Sequence, residues 1–332
     1  MLADFIVNVE KDYTINRKPL GEGNFGIVYE GTRKRDGTKV AVKKLKDANL
    51  DLNNQKSLVR ELSILSSLHH PNCLSLIGFA LEPEIIIITP FMPNGSLEDA
   101  LVAKFDGKPG FEKFTATKRM CSFYGLCSVM SYIHSKNIIH RDFKPENIFL
   151  NKDYEVCIAD FGLSRAVCEN VYLTRGTLGS PVYMAPDIYG DDEVYTNAVD
   201  VYSFGVTLYH YFVKNLINLD DGKGKIKSKT NLLSRIMKGA RLIKDPNIPE
   251  NYFNIYKRCV EHNPSLRPSF DELAEMFEKE EDLILEGVNK DEYYEYIDRC
   301  KKTIEDLNSN KNVPDDSSLL RSSKKAKGKL YF

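Results

Sequence analysis

The chain has 332 residues, 42% of them hydrophobic, and 46 Lys and Arg against 47 Asp and Glu give a formal net charge of -1. That is apolar material for one large two-lobed body or two modest domains, and it leaves no overall basic field to recruit nucleic acid or an anionic membrane surface. Seven cysteines without a CxxC pair fit neither a disulfide framework nor a zinc site and point to reduced thiols.

Residues 1–12 read as an N-terminal extension that lacks the basic start and apolar run of a signal peptide. From 13 to 44, short β-like segments broken by glycine end in KVAVKKL, where Val40 and Val42 alternate with polar neighbours, the pattern of a strand meander. Within it, GEGNFGIV carries Gly21, Gly23 and Gly26. In a dinucleotide-binding fold the third glycine opens a helix, but Ile27, Val28 and Tyr29 continue toward a strand, so this loop joins two strands. Such glycines let backbone N–H groups approach phosphates closely, although the loop taken alone favours an ordinary glycine-rich hairpin. Residues 54–68 place Leu58, Leu62, Leu65 and Leu68 on one helical stripe, stopped by Pro71. Residues 84–91 form a fully apolar strand, too short to span a bilayer, halted by Pro90, Pro93, Asn94 and Gly95. Beyond this lobe boundary, helices are predicted at 114–135, 196–213, 232–237, 252–261 and 270–279. A weaker amphipathic segment follows to Leu307, and disorder is expected past about Asn308.

The octet HRDFKPEN, residues 140–147, interrupts this helical region between the apolar runs NII and IFL. Two carboxylates, two cations and an amide there are costly to bury unless they are paired, metal-bound or chemically active. The octet is therefore the first candidate for chemistry.

GEGNFGIV, VAVK with Lys43, a helix carrying Glu61, HRDFKPEN and DFG at 160–162 occur in the order found in the eukaryotic protein kinases. The chain resembles that superfamily from 13 to 279, and most of all the tyrosine-kinase-like group of serine/threonine kinases, through FMPNGSLEDAL and NPSLRPSFDEL. The resemblance implies an α+β, bilobal fold. A small antiparallel β-sheet lobe with one major helix (13–92) and a hinge (90–94) would precede a larger, mainly α-helical lobe (95–279) and a partly helical tail (280–332). It implies transfer of the γ-phosphate of ATP, with Mg²⁺, to protein hydroxyls. By the same resemblance Gly21, Glu22, Gly23, Asn24, Phe25 and Gly26 would cover the phosphates, Lys43 would hold the α- and β-phosphates, and Glu61 would fix its direction. Asn147 and Asp160 would supply hard oxygens to Mg²⁺, Asp142 would accept or orient the substrate proton, and Lys144 would contact the transferred phosphate. Val28 and Ala41 would cover one face of adenine and Phe149 the other, with Thr89 controlling the rear pocket. Pro90 departs from the usual acidic hinge residue but keeps its C=O, so adenine would bind Pro90 C=O and Met92 N–H. His140 is expected to be structural, stacked with Phe161, Leu65 and Leu76, and His69 and His70 read as a helix-end turn.

Lys144 with Pro145, and Ser180 near the peptide site, point to serine and threonine in protein substrates. PVYMAPD suits several groups, so dual specificity stays open; a nucleotide-binding pseudokinase scaffold is disfavoured because Lys43, Asp142 and Asp160 are all present. A buried Arg141 beside Asp142 calls for an anion, and phosphorylation of Thr174 or Thr177 is expected to supply it and order residues 163–185. Asp187 stands where glutamate is usual, so its pairing with Arg267 is expected to be longer or water-bridged, and Tyr202 replaces a common tryptophan. The tail carries apolar residues suited to docking on a protein partner or on the kinase body, or to a solvated helix. Its basic end, with Arg321, Lys324, Lys325, Lys327 and Lys329, fits a nuclear signal, a lipid-headgroup patch or a soluble terminus. A cytoplasmic location is expected, with the nucleus as the alternative.

Overall fold

The alternation at Val40 and Val42 resolves into a sheet with two different faces. The computed structural model describes residues 2–22, 26–46, 52–109, 111–161, 165–166, 181–189, 196–214, 216, 218–224 and 226–309. A one-turn helix α1 (Val9–Asp12) leads into β1 (Tyr13–Glu22), β2 (Gly26–Arg33) and β3 (Lys39–Leu45), and β4 (Gly78–Ala80) and β5 (Ile86–Pro90) complete a sheet of order β1-β2-β3-β5-β4. Val40 and Val42, both fully buried, pack with Tyr13, Ala80, Ile86 and Ile88 on one face. The intervening Ala41 and Lys43 point to the other face, where Lys43 lies in register with Val28 and Ile87, and Ala41 with Thr89. That second face meets α2 (Leu52–Ser67), whose Leu58, Leu62 and Leu65 are buried as the spacing predicts.

Below the sheet the chain is mainly helical. Helix α3 (Leu97–Phe105) escapes the sequence reading because its start lies inside the Pro/Asn/Gly turn cluster. It begins with a capping box in which the Ser96 hydroxyl accepts from Asp99 N–H and the Asp99 carboxylate accepts from Ser96 N–H. Helix α4 (Ala116–Ser135) is buried on every side from residue 120 to 130 and packs along α8 (Phe270–Lys279), while α5 (Ala198–His210) packs on α7 (Glu250–Cys259) and α6 (Lys229–Met237) on the turn Pro186–Tyr189. Short antiparallel pairs, β6 (Ile138–Ile139) with β9 (Arg165–Ala166) and β7 (Ile148–Leu150) with β8 (Val156–Ile158), frame the octet.

The Asp187–Arg267 strut is direct, contrary to the longer or bridged contact expected. Arg267 Nη2–H donates to Asp187 Oδ1 at 2.6 Å and Nη1–H to Oδ2 at 3.2 Å. The buried guanidinium is also anchored on the carbonyls of Glu261 and Ala198 at 3.0 Å each, so it is fixed within reach of the shorter side chain on its 3-10 turn, Pro186–Tyr189. Tyr202 lies between two guanidiniums, with Arg267 and Arg241 at 5.3 and 5.4 Å from its ring centre.

The tail forms helix α9 (Lys290–Ser309), which docks on α4 of the helical lobe. Tyr293, Tyr296, Ile297 and Cys300 make its buried stripe. The Tyr293 hydroxyl donates to Phe277 O at 2.6 Å, and Lys118 pairs with Glu292 at 2.8 Å. The basic end of the tail lies outside the described residues. Six cysteines of the described residues are free and buried, and burial pushes the Cys157 and Cys259 thiols up to about 12, far from a nucleophile's range. Among the described residues, no helix is long and apolar enough to cross a membrane.

Candidate active site

The octet is held from below by Asp200, in the first turn of α5. Its carboxylate is fully buried and accepts three hydrogen bonds: Arg141 N–H to Oδ1 at 2.8 Å, and His140 N–H at 2.8 Å and His134 Nε2–H at 2.9 Å to Oδ2. Burial works against the charge, but the His134 bond and the surrounding donors outweigh it and hold the carboxyl below its ordinary range. The bonds also secure Arg141 at φ +69°, a left-handed conformation that is unfavourable for a side-chain-bearing residue. Sequence reasoning did not select Asp200, although one carboxylate in the apolar run AVDVYSFGV signals a buried, paired acid.

His140 is fully buried and uses both ring nitrogens internally. Nε2–H donates to Ala159 O at 3.0 Å, and Nδ1 accepts from Asp142 N–H at 3.3 Å. Its ring meets Phe161 edge-on at 5.1 Å, and Leu65 and Leu76 belong to the same core. This is the structural role expected of it.

Asp142, Lys144 and Asn147 converge. Lys144 Nζ donates to both Asp142 carboxylate oxygens at 3.0 and 2.8 Å, and Asn147 Nδ2 donates to Asp142 Oδ2 and to its backbone O at 2.8 Å each. With its amide N–H groups so engaged, Asn147 presents Oδ1 as its remaining hard oxygen. Asp142 and Lys144 are about 15% exposed, so a substrate can reach them. Across the cleft, Lys43 Nζ lies 3.2 Å from Glu61 Oε1. Burial favours neutral Lys43, but the charges of Glu61 and Asp160 prevail and raise its pKa above the ordinary value. Asp160 therefore sits close enough to Lys43 to share its field. It adopts φ +63°, a second strained residue in the same cleft. Carboxylate and amide oxygens facing a cleft, with neighbouring cations, are a donor set suited to a hard divalent ion carrying phosphates.

The remaining candidates divide into two groups. Val28, Ala41, Thr89, Pro90, Met92 and Phe149 are half-buried, whereas their strand neighbours Val40, Val42 and Ile88 are fully buried, so they form an apolar lining left open on the cleft side. Gly21 and Glu22 end β1 and Gly26 opens β2, where a Cβ would come within 2.3 Å of Lys44 O. Gly23, Asn24 and Phe25, and the regulatory candidates Thr174, Thr177 and Ser180, lie outside the described residues. A cavity of about 550 Å³ opens elsewhere, lined by Arg241, Phe253, Tyr256 and Lys257 among others, and contains none of the candidate residues.

Comparison with known proteins agrees with this geometry. Residues 14–277 match the family model described as protein tyrosine and serine/threonine kinase. Tyrosine-protein kinase receptor TYRO3 of Danio rerio is 32% identical over 294 residues, covering 83% of this chain and 32% of that protein. Dual specificity protein kinase shkB of Dictyostelium discoideum is 32% identical, covering 77% and 38%. Probable serine/threonine-protein kinase PBL18 of Arabidopsis thaliana is 32% identical, covering 80% and 74%. The chain thus spans about a third of the first two relatives and three quarters of the third. With most of its length inside the match, from the glycine strand to α8, this chain belongs to the protein tyrosine and serine/threonine kinase family.

Proposed function

We propose that the protein is a serine/threonine protein kinase that transfers the γ-phosphate of ATP, with Mg²⁺, to hydroxyls of protein substrates. The observation that carries this reading is the Asp142 carboxylate held by Lys144 and Asn147 in a reachable cleft. There Asp142 accepts or orients the hydroxyl proton, and Lys144 neutralises the transferred phosphate. Asn147 and Asp160 are the residues that would hold Mg²⁺, which when bound neutralises phosphate charge. Lys43, directed by Glu61, holds the α- and β-phosphates beneath the glycine loop. Val28, Ala41 and Phe149 clasp adenine, while Pro90 C=O and Met92 N–H bind its edge and Thr89 guards the rear.

Lys144 followed by Pro145, with Ser180, favours serine and threonine over tyrosine. A second reading, dual specificity, draws support from the PVYMAPD segment and from the dual specificity kinase among the similar proteins. Control by a phosphate on Thr174 or Thr177 completes the proposal. Mass spectrometry after incubation with Mg-ATP tests this control, which fails if the active form carries no phosphate between residues 162 and 186.

The test of the activity is labelled-phosphate transfer to a generic protein substrate, with Asp142→Asn and Asp160→Ala as controls and phosphoamino-acid analysis of the product. Label on serine and threonine, abolished in both variants, is expected. Label on tyrosine alone overturns the specificity, and undiminished transfer by either variant overturns the site.

A further inference from the structure

Asn72, in the turn that follows α2, joins three parts of the molecule. Its backbone O accepts from Ile158 N–H at 2.8 Å, and its Nδ2 donates to Val156 O at 2.7 Å, both in β8, the strand that runs into Asp160. The same Nδ2 donates to the Tyr296 hydroxyl of α9 at 2.8 Å, and the Cys300 thiol lies 3.7 Å from Oδ1. Asn72 is 2% and Tyr296 4% exposed, so water cannot substitute for either. Helix α4 is shaped for this contact: a Cβ on Gly125 would lie 2.2 Å from the Tyr296 hydroxyl oxygen. A glycine inside a helix is unfavourable relative to alanine, and here it is what admits the tyrosine. The family match ends at residue 277, so α9 lies beyond it.

We propose that α9 is a positioning strut for the Lys43–Glu61 pair. Through Asn72, Tyr296 fixes the C-terminal end of α2 against β8, so that Glu61 on the helix and Asp160 after the strand keep one register. This rests on the reading of Lys43 and Glu61 as the pair that positions ATP. Tyr296 touches no substrate; it is a positioning residue and acts through Glu61.

The experiment is a double-mutant cycle in the full chain, measured by steady-state phosphotransfer with hydrogen exchange alongside. Tyr296→Phe leaves one Asn72 N–H without its acceptor, and kcat is expected to fall about fivefold, the scale of one buried hydrogen bond, with KM for the protein substrate unchanged. Glu61→Gln lowers kcat further, and adding Tyr296→Phe to it changes nothing more, because the tyrosine acts through the glutamate. Gly125→Ala is expected to reproduce the Tyr296→Phe loss from the opposite side of the contact. The α2 amides exchange faster in Tyr296→Phe than in the unaltered chain. The proposal falls if the two kcat effects multiply, if Tyr296→Phe lowers the unfolding temperature with kcat unchanged, or if α2 exchange is unaltered. Full activity of Glu61→Gln instead overturns the Lys43–Glu61 reading and this proposal with it, whereas unaltered α2 exchange removes only the strut.

Discussion

Replacing Asp200 by asparagine changes one oxygen into an NH₂ group and removes a charge, with almost no change in shape. Asp200 Oδ2 accepts from His140 and His134, and Oδ1 from Arg141. If the new amide oxygen keeps the Oδ2 place, the NH₂ faces Arg141 N–H, and a charge-assisted bond becomes a donor facing a donor in a fully buried site. Losing that bond and leaving the N–H unsatisfied costs about 2–4 kcal/mol. The opposite amide orientation loses two bonds and costs more. At about 2–4 °C per kcal/mol for a domain of this order of size, the unfolding temperature falls by roughly 4–16 °C. This bond helps to hold Arg141 in its left-handed conformation, so its loss should let the octet relax and Asp142 move. A displacement near 1 Å costs on the order of 10²-fold in rate, whereas the proposed adenine contacts other than Phe149 lie in the upper lobe and hinge, so KM for ATP should change less than kcat. Differential scanning fluorimetry and steady-state kinetics on Asp200→Asn read both effects. An unfolding temperature within about 2 °C of the unaltered chain, together with kcat within threefold, would refute the claim that Asp200 holds the loop.

Asp187→Ala strands the buried Arg267 guanidinium, and breaking such a pair costs about 3–5 kcal/mol. Urea unfolding should show a lower midpoint with an unchanged slope, and an unaltered midpoint would mean that the strut contributes nothing. Stability should also depend on pH through His70 and His210, whose imidazoles burial pushes down to about 4, with the Lys104 charge adding to the effect at His210. The unfolded chain takes up these protons near pH 6.5 and the fold resists them. Stability is therefore full above about pH 6.5 and declines as pH falls toward 4, by about 3 kcal/mol per histidine at the lower end. His210→Gln should flatten part of this slope in urea titrations, and a wild-type midpoint that does not move between about pH 7 and 5 would exclude the effect.

How far the sequence foretells this fold depends on the range of the interaction. The leucine stripe of α2 is written at helical spacing, and the Lys43–Glu61 and Asp142–Asn147 groupings follow from motifs whose order carries geometry. Helix α3 was hidden because Ser96 and Asp99 look like a continuation of the turn cluster, and only their reciprocal bonds reveal a cap. The directness of the Asp187 contact could not be read from the side chain's length. It depends on where the carbonyls of Glu261 and Ala198 fix the guanidinium. Tyr296 and Cys300 are weakly apolar, and the tail's apolar pattern is read from Leu283, Leu285, Val288, Tyr293, Tyr294, Ile297, Ile304 and Leu307 without them. Their partner, Asn72, stands more than 200 positions away, so nothing local marks them.

The seat of Tyr202 has an optical corollary. The chain contains 18 tyrosines and no tryptophan, so it carries no indole emission of its own. Tyr202→Trp would place a single indole between Arg241 and Arg267, where cations quench or tune the excited state according to their distance. Light from that one ring would follow the loosening of the Asp187–Arg267 corner as the helical lobe comes apart, with no second indole to subtract.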